Sequence, residues 1–453
     1  MKYSNTRARS SRRASWQAPA LRRMAGLLAI GLIAVACDTS RLLRVDAPNS
    51  VPATVFQDPA NAALMVNSAI GDFECAFGGW VVAEGIATDE LQDATLTAAN
   101  WQLDRRDDSF TSGSYGTAGC TSTQGIYTPM STSRWEADQA ITNLNGWTDA
   151  QVANRATLLA QANLYAGFNY ASLAVSMCQA AFDNGPAVDQ KGMFALAEKR
   201  FTDAITIAPP SQTSILNAAY VGRARMRLYQ HNNAGAIADA QLVPKGFVFN
   251  VGTDAVNSRR FNHIYTAIAA STSTTVEASA RALTTENGEI DPRAATTKLT
   301  VKSADGVSLQ YIPNKYNAAS LTLGEAIPHP LARYEEAQLI LAEAQGGASA
   351  VTIINAMRTT AALKPYTGAT DATSIKNLII GERQRVLFVE GFRAFDVERF
   401  SLPLVPTAGT VYRFGGFYGH TVCMPLPDIE VNNNPNIVTA GLITGVQGQF
   451  PVP

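Results

Sequence analysis

The chain has 453 residues, with 36 Lys+Arg against 37 Asp+Glu, 46% hydrophobic and 16% charged. That is a globular composition, long enough for one large core or two lobes. Seven of the basic residues fall within residues 1–23, where there is no acid, so the remainder carries 29 bases against 37 acids, a net charge near −8. No basic run is left in it, which sets aside nucleic acid and anionic membrane surfaces as partners.

The basic segment leads into an apolar run from Met24 to Ala36, followed by Cys37. The run is too short for a stable membrane span, and residues 1–36 read as a secretory signal peptide. Small residues directly before Cys37 predict a lipid-bearing N-terminus there, with 37–453 as one mature domain. The alternative is a plain export signal ending near Ala36, and Asp38 leaves the final membrane open. With Cys37 assigned to lipid, Cys75, Cys120, Cys178 and Cys423 remain, an even number compatible with two disulfides in an oxidising compartment. We pair Cys75 with Cys120, because both stand in loop-like, glycine-containing sequence; buried free thiols are the alternative. No Cys-x-x-Cys is present, so redox and zinc readings fail.

Residues 73–127 hold Trp80, Trp101, Tyr115 and Tyr127 among glycines, serines and threonines, and are expected to be loop-rich. Helices follow over about 128–243. From Asp149 to Phe182, Leu159, Ala162, Ala166, Tyr170, Leu173 and Met177 form one stripe, while Leu158, Tyr165, Phe168 and Val175 form another. Two apolar faces require neighbours on two sides, as in a stacked helical array. Phe194, Ala197, Phe201 and Ala204, then Leu216, Tyr220, Ala224 and Leu228, repeat the pattern. The small residues around Ala219 and Ala236 suit close antiparallel pairs of tetratricopeptide type. Residues 244–327 lose the periodicity and join the expected loop-rich lobe, as do 401–453. Trp135 and Trp147 are expected to pack helix ends.

Helical pattern resumes over about 328–400, giving about four helix pairs in all. Ser374 to Phe400 lacks proline and carries apolar residues at helical spacing, with Thr373 or Ser374 as cap. Glu390, Arg393, Asp396 and Arg399 fall three apart, so each carboxylate can meet a guanidinium on one helix face and fix packing. Gly391 marks a close helix approach or a break.

Several segments appear in a recognisable order. They are Thr88-Asp89-Glu90, Asp291-Pro292-Arg293, Lys315-Tyr316, Arg333-Tyr334-Glu335-Glu336 and Asn355-Ala356-Met357-Arg358. Glu382-Arg383 and Glu390-Gly391-Phe392-Arg393-Ala394-Phe395-Asp396 through Arg399 come next, then Met424 to Glu430 with Asn434-Pro435. From about Asn49 to Asn436 this order resembles the SusD/RagB family. Arg333, Glu336, Arg358, Glu382, Arg383, Glu390, Gly391, Arg393, Asp396 and Arg399 are then its structural signature. The resemblance implies a mostly α, tetratricopeptide-like fold with few short strands and a loop-rich binding face. It also implies an outer-membrane lipoprotein that captures an oligosaccharide or other large nutrient for a SusC-like TonB-dependent transporter.

Such a binder stacks sugar CH faces on aromatic rings and satisfies hydroxyls with side-chain amides, carboxylates and Arg. Trp80, Trp101 and Tyr115 are the candidate platforms, with Asp104, Arg105 and Asp107 as polar partners; Phe414, Phe417 and Tyr418 beside Gly415-Gly416 are a second choice. No catalytic signature accompanies them: Gly-x-Ser-x-Gly, His-Glu-x-x-His, P-loop and Gly-x-Gly-x-x-Gly are all missing, and the four histidines are scattered. The alternation of Asp428, Glu430, Asn432 and Asn434 fails as a calcium loop, with Asn433 and Thr439 at the positions that need Gly and Glu. We therefore expect a non-enzymatic protein without cofactor or bound metal. A tetratricopeptide-like envelope scaffold or peptide-binding lipoprotein is the alternative.

Overall fold

The apolar stripes of the middle sequence become the contacts of a helical array. In the computed structural model, residues 53–107, 113–318, 321–438 and 441–443 are described. The leader and Cys37 lie outside them. The chain divides after Val55, and everything below belongs to the unit from Phe56 onward.

Among the described residues, the α-helices of six residues or more in chain order are α1 (Ala62–Ile86), α2 (Ala98–Arg105), α3 (Tyr127–Gly146), α4 (Arg155–Ser176), α5 (Gln190–Ile207), α6 (Thr213–Tyr229), α7 (Asn233–Ala240), α8 (Tyr334–Gln345), α9 (Gly347–Thr360), α10 (Ala372–Val386), α11 (Arg393–Arg399) and α12 (Asp428–Asn433). α1 packs on α3, α3 on α4, α4 on α5, and so on through α6, α7 and α8, with α9 and α10 closing on α8. α4 is apolar on two faces because it is gripped from two sides: Leu159, Ala162, Ala166, Tyr170 and Leu173 are buried, and so are Tyr165, Phe168 and Val175. On α6 the buried face is rotated by about one residue from the expected stripe. Ile215, Ala218 and Ala219 are buried, while Leu216 and Tyr220 are half-exposed.

Among the described residues, eight short strands form four antiparallel two-stranded ribbons. β1 (Leu91–Asp93) pairs with β5 (Thr274–Val276), and β2 (Gln179–Ala181) with β3 (Ala187–Asp189). β4 (Val248–Val251) pairs with β8 (His329–Arg333), and β6 (Thr296–Lys302) with β7 (Leu309–Pro313). The protein is mostly α with few short strands, as read from the sequence.

One boundary needs correction. The loop-rich region was expected from residue 73, but α1 runs unbroken to Ile86, carrying Cys75 and Trp80 in its buried half. Gly78 and Gly79 do not break it. A side chain at Gly79 would stand 2.3 Å from the Ser122 carbonyl, so the residue is small to let the loop before α3 close on the helix. That loop is tied to α1 by the Cys75–Cys120 disulfide, and Cys178–Cys423 ties the end of α4 to the C-terminal segment.

The signature charges form a buried lattice between elements, with a partner pattern unlike the expected one. Only Asp396–Arg399 forms a pair three residues apart on α11, at 2.8 Å. Glu390 instead holds Lys315 at 2.7 Å and Arg333 at 3.0 Å, and Arg393 reaches Asp89 at 2.6 Å. The cause is backbone: Val389 (φ 53°) and Gly391 (φ 80°) break the helix before Arg393, so Glu390 points elsewhere. A Cβ on Gly391 would also lie 2.2 Å from the Trp80 ring, so the residue is both break and close approach. Arg383 binds Asp396 at 2.7 Å, Arg225 binds Glu336 at 2.6 Å, and Arg358 binds Glu382 at 2.6 Å. The cap of α10 is Asp371, which accepts from the Thr373 and Ser374 amides; the two hydroxyl residues predicted as caps lie inside the first turn.

Two buried carboxyls lack this compensation. Glu84 of α1 makes no hydrogen bond with either oxygen, and burial pushes its pKa up to about 8. The Ser176 hydroxyl offsets little of this, because its proton goes to the Ser172 carbonyl. Burial also raises Glu90 to about 8, against the Val389 amide that it accepts at 2.9 Å. Both folded values exceed the usual 4.5, so the folded state binds more protons between about pH 4.5 and 8, and stability falls as pH rises through that window. In the opposite direction, burial lowers His329 to about 3 and His263 to about 4, and acidification below their ordinary 6.5 also destabilises. Thermal melts are expected to peak near pH 6 and to fall toward pH 9. Glu84→Gln should raise the pH 9 midpoint by several degrees and leave that at pH 5 unchanged; equal shifts at both pH values would contradict the assignment.

Candidate ligand-binding site

Of the three aromatic residues singled out in the sequence, two are structural. Trp80 is 4% exposed, its indole N–H donating to Ser176 Oγ at 2.7 Å and its ring against Phe77. Tyr115 is 1% exposed, its hydroxyl donating to the Pro425 carbonyl at 2.8 Å. Both were placed in loops by their glycine-rich surroundings; in fact Gly79 lets the Ser122 backbone, and Gly116 the Pro427 ring, pack closely, and the aromatic rings sit in the core. Neither can present a face to a ligand.

Trp101 is different. It sits half-exposed on α2, the short helix after β1, and its indole N–H donates to the Thr95 carbonyl at 3.1 Å, which fixes the ring. Its ring stacks on Phe414, centroids 4.8 Å apart at 21°. Phe414 belongs to a tight hairpin in which Val411 faces Phe417, Gly415 N–H donates to the Tyr412 carbonyl, and Tyr412 N–H to that of Gly416. The turn needs φ of +100° and +81° at Gly415 and Gly416, the left-handed region that glycine enters without strain. Thus the sequence's first and second choices of platform meet in one place.

Buried groups hold the shelf from below. Tyr412 and Tyr418 pack edge to face at 5.2 Å, and the Tyr412 hydroxyl donates to Asp104 Oδ2 at 2.9 Å. Burial, with the neighbouring Asp93 charge, pushes Asp104 up to about 7, so it is neutral or ionised according to conditions but is not exposed to a ligand. The Arg105 N–H groups reach Asp107 at 2.6 Å, and its carbonyl accepts the Gly419 N–H at 2.6 Å, clamping α2 to the hairpin. Arg413 lies over the Phe414 ring at 4.6 Å and bonds Asp305 at 3.2 Å and Ser308 at 2.6 Å.

Above this support, Phe417 and Val411 are 64% and 68% exposed beside half-exposed Trp101 and Phe414. Arg105, Asp107 and Arg413 supply charged hydrogen-bonding groups at the edge. An apolar, rigid face rimmed by fixed polar groups can stack a ring bearing CH groups and satisfy its hydroxyls. Among the described residues no group of three or more His, Cys, Asp or Glu is gathered to hold a metal ion.

Trp147 is half-buried against the cluster of α1, α3 and α4, as expected. Trp135, expected to pack a helix end, is 50% exposed in the middle of α3. Trp101 and Phe414 were each reachable from the sequence, but their stacking was not, the two being more than 300 positions apart.

Comparison with known proteins bears on the family resemblance and the fold. Residues 256–440 match the model of the SusD family. None of the curated proteins matches the chain. Among solved structures, a SusD-like carbohydrate binding protein from Bacteroides vulgatus shares 16% identity, covering 84% of this chain and 97% of its own, with a TM-score of 0.63. A laminarin binding SusD-like protein shares 15%, covering 84% and 98%, at 0.61. A putative sugar binding protein from Bacteroides vulgatus shares 15%, with the same coverages, at 0.63. The resemblance read from the C-terminal motifs therefore holds, and this chain is SusD-like in sequence over residues 256–440 and in fold over most of its length.

Proposed function

We propose that this protein is a non-enzymatic carbohydrate-binding protein that captures an oligosaccharide nutrient and delivers it to a SusC-like TonB-dependent outer-membrane transporter. It would be held at the outer membrane by lipid on Cys37. The stacked, partly exposed Trp101–Phe414 pair carries the carbohydrate reading. It is supported by SusD-family membership of residues 256–440 and by solved SusD-like relatives named for binding sugar or laminarin. No helix among the described residues is long and apolar enough to cross a membrane.

The test is calorimetric titration of the mature domain with a panel of soluble glycans: laminarin, amylopectin, galactomannan, xylan, galactan and inulin. Trp101→Ala is expected to weaken binding by about 1–3 kcal/mol, roughly 5- to 150-fold, with Phe414→Ala similar. Binding by Trp101→Ala as tight as the parent's would remove Trp101 from the site. Delivery is tested by pull-down of the full-length protein from solubilised membranes of its host, where a stoichiometric TonB-dependent barrel is expected.

A second reading, a peptide-binding lipoprotein, is favoured by a different feature. A cleft of about 670 Å³ is floored by Val248 and Asn250 of β4 with Pro330 of β8 and walled by Tyr334 and Met357. Binding of a random peptide library, with none of the glycans bound, would favour it over the carbohydrate reading.

A further inference from the structure

The half-exposed tryptophan on α3 stands at the lip of its own cleft, about 420 Å³, within the range of roughly 300–1,000 Å³ usual for small-molecule sites. Thr128, Ser131, Thr132 and Trp135 fall at i, i+3, i+4 and i+7, so three hydroxyl residues and the indole share one face of the helix. The opposite wall is the turn between β2 and β3, with Asp183 and Asn184, and the start of α12, with Ile429 and Glu430. Ile429 is 46% exposed, so the cleft has apolar surface on both sides.

The polar groups of the cleft are positioned by buried ones. Arg134, its side chain only 4% exposed, donates to both oxygens of Asp183 at 3.0 Å and to Asp138 at 3.3 Å. Its guanidinium lies 5.1 Å from the centre of the Phe182 ring. The Asp183 carboxylate is thereby fixed while its side chain stays 58% exposed. Asp183 and Asn184 have φ of 53° and 57°, two consecutive non-glycine residues in the left-handed region, a conformation that the surroundings must hold. Asn436 and Asn434 bond the Asn184 and Gly185 carbonyls at 2.6 and 2.8 Å and so hold it. Glu430 takes the Tyr127 hydroxyl at 3.1 Å and the Asn434 amide at 2.9 Å, and the Ser131 hydroxyl makes no hydrogen bond within the protein.

The lining has one cation, committed to carboxylates, and two carboxylates of its own, so it does not suit an anion. An exposed indole, fixed carboxylates and an amide suit a neutral polyol ring, and the Thr128 and Thr132 hydroxyls, whose protons go to the Gly116 and Thr128 carbonyls, leave their oxygens as acceptors. We propose that this cleft is a second carbohydrate site, with Trp135 as its platform, sharing no residue with the Trp101 shelf and able to hold a sugar unit independently of it. The ligand class rests on the carbohydrate reading above; the existence of a second site does not rest on the Trp101 shelf.

The test is ¹⁹F NMR of the mature domain labelled with 5-fluorotryptophan, each resonance assigned by a Trp→Phe variant, titrated with oligosaccharides prepared from the same six glycans. The Trp101 and Trp135 resonances are expected to shift with different midpoints. The Trp135 shift should persist in Trp101→Ala and vanish in a domain carrying Asp183→Ala, whose unshifted Trp80 and Trp147 resonances report an intact fold. Movement of Trp101 alone would overturn the second site and leave the proposed function standing. Movement of Trp135 alone would support this site and refute the Trp101 shelf. Movement of neither with any glycan would overturn both.

Discussion

Glu382→Ala is expected to destabilise the protein by about 3–5 kcal/mol, the range found when one partner of a buried ion pair is removed. Glu382 is fully buried and accepts from three guanidiniums: Arg358 at 2.6 and 2.8 Å, Arg385 at 2.8 Å and Arg293 at 2.8 Å. Asp291 and Glu286 would remain, but both already serve the same arginines. The substitution therefore leaves three guanidiniums to share two carboxylates, one buried positive charge in excess. A typical domain is stable by only about 5–15 kcal/mol, so the loss is a large share. Urea denaturation should show it as a lower midpoint, and a mutant within 1 kcal/mol of the parent would mean that water screens the cluster. The double substitution Glu382→Leu with Arg358→Met should cost less than the sum of the singles, because removing both members of a pair avoids the unpaired charge.

Gly391→Ala is expected to cost roughly 2–5 kcal/mol from two sources: a left-handed conformation for a residue with a Cβ, and overpacking. The second source is specific, since the new methyl would meet Trp80 Cζ3 at 2.2 Å. Thermal denaturation checks the total. Combining it with Trp80→Leu separates the parts: steric conflict predicts partial recovery relative to Trp80→Leu alone, and no recovery would assign the whole effect to the backbone. Either substitution should leave ligand binding by the folded protein intact, because Trp80 belongs to the core.

How much of this was legible in the sequence depends on the range of the interaction. The double stripe of α4 was read correctly because packing on two sides writes itself into spacing along one helix. Of the pairs expected along Glu390, Arg393, Asp396 and Arg399, Asp396–Arg399 forms, but Glu390 was misread because three-residue spacing matters only if the helix is continuous, and the positive φ of Val389 and Gly391 ends it. The partners of Glu390 and Arg393, which are Lys315, Arg333 and Asp89, lie 57 or more positions away and leave no periodic trace. The same limit governs the aromatic residues. Glycines around Trp80 and Tyr115 suggested loops; they serve close packing, a distinction that only the neighbouring backbone reveals. Trp101 was singled out by local composition, but the Phe414 ring that completes its platform comes from the opposite end of the domain. The cap at Asp371 was missed for a smaller reason, that three capping-type residues within four positions, Asp371, Thr373 and Ser374, crowd one turn.

The most direct test of the central claim is a crystal structure of the mature domain grown with the oligosaccharide that binds most tightly in the glycan panel. A sugar ring lying over Trp101 and Phe414, with hydroxyls reaching Arg105, Asp107 or Arg413, is the expected result. An oligosaccharide well ordered elsewhere on the molecule, with the Trp101–Phe414 face bare, would contradict it.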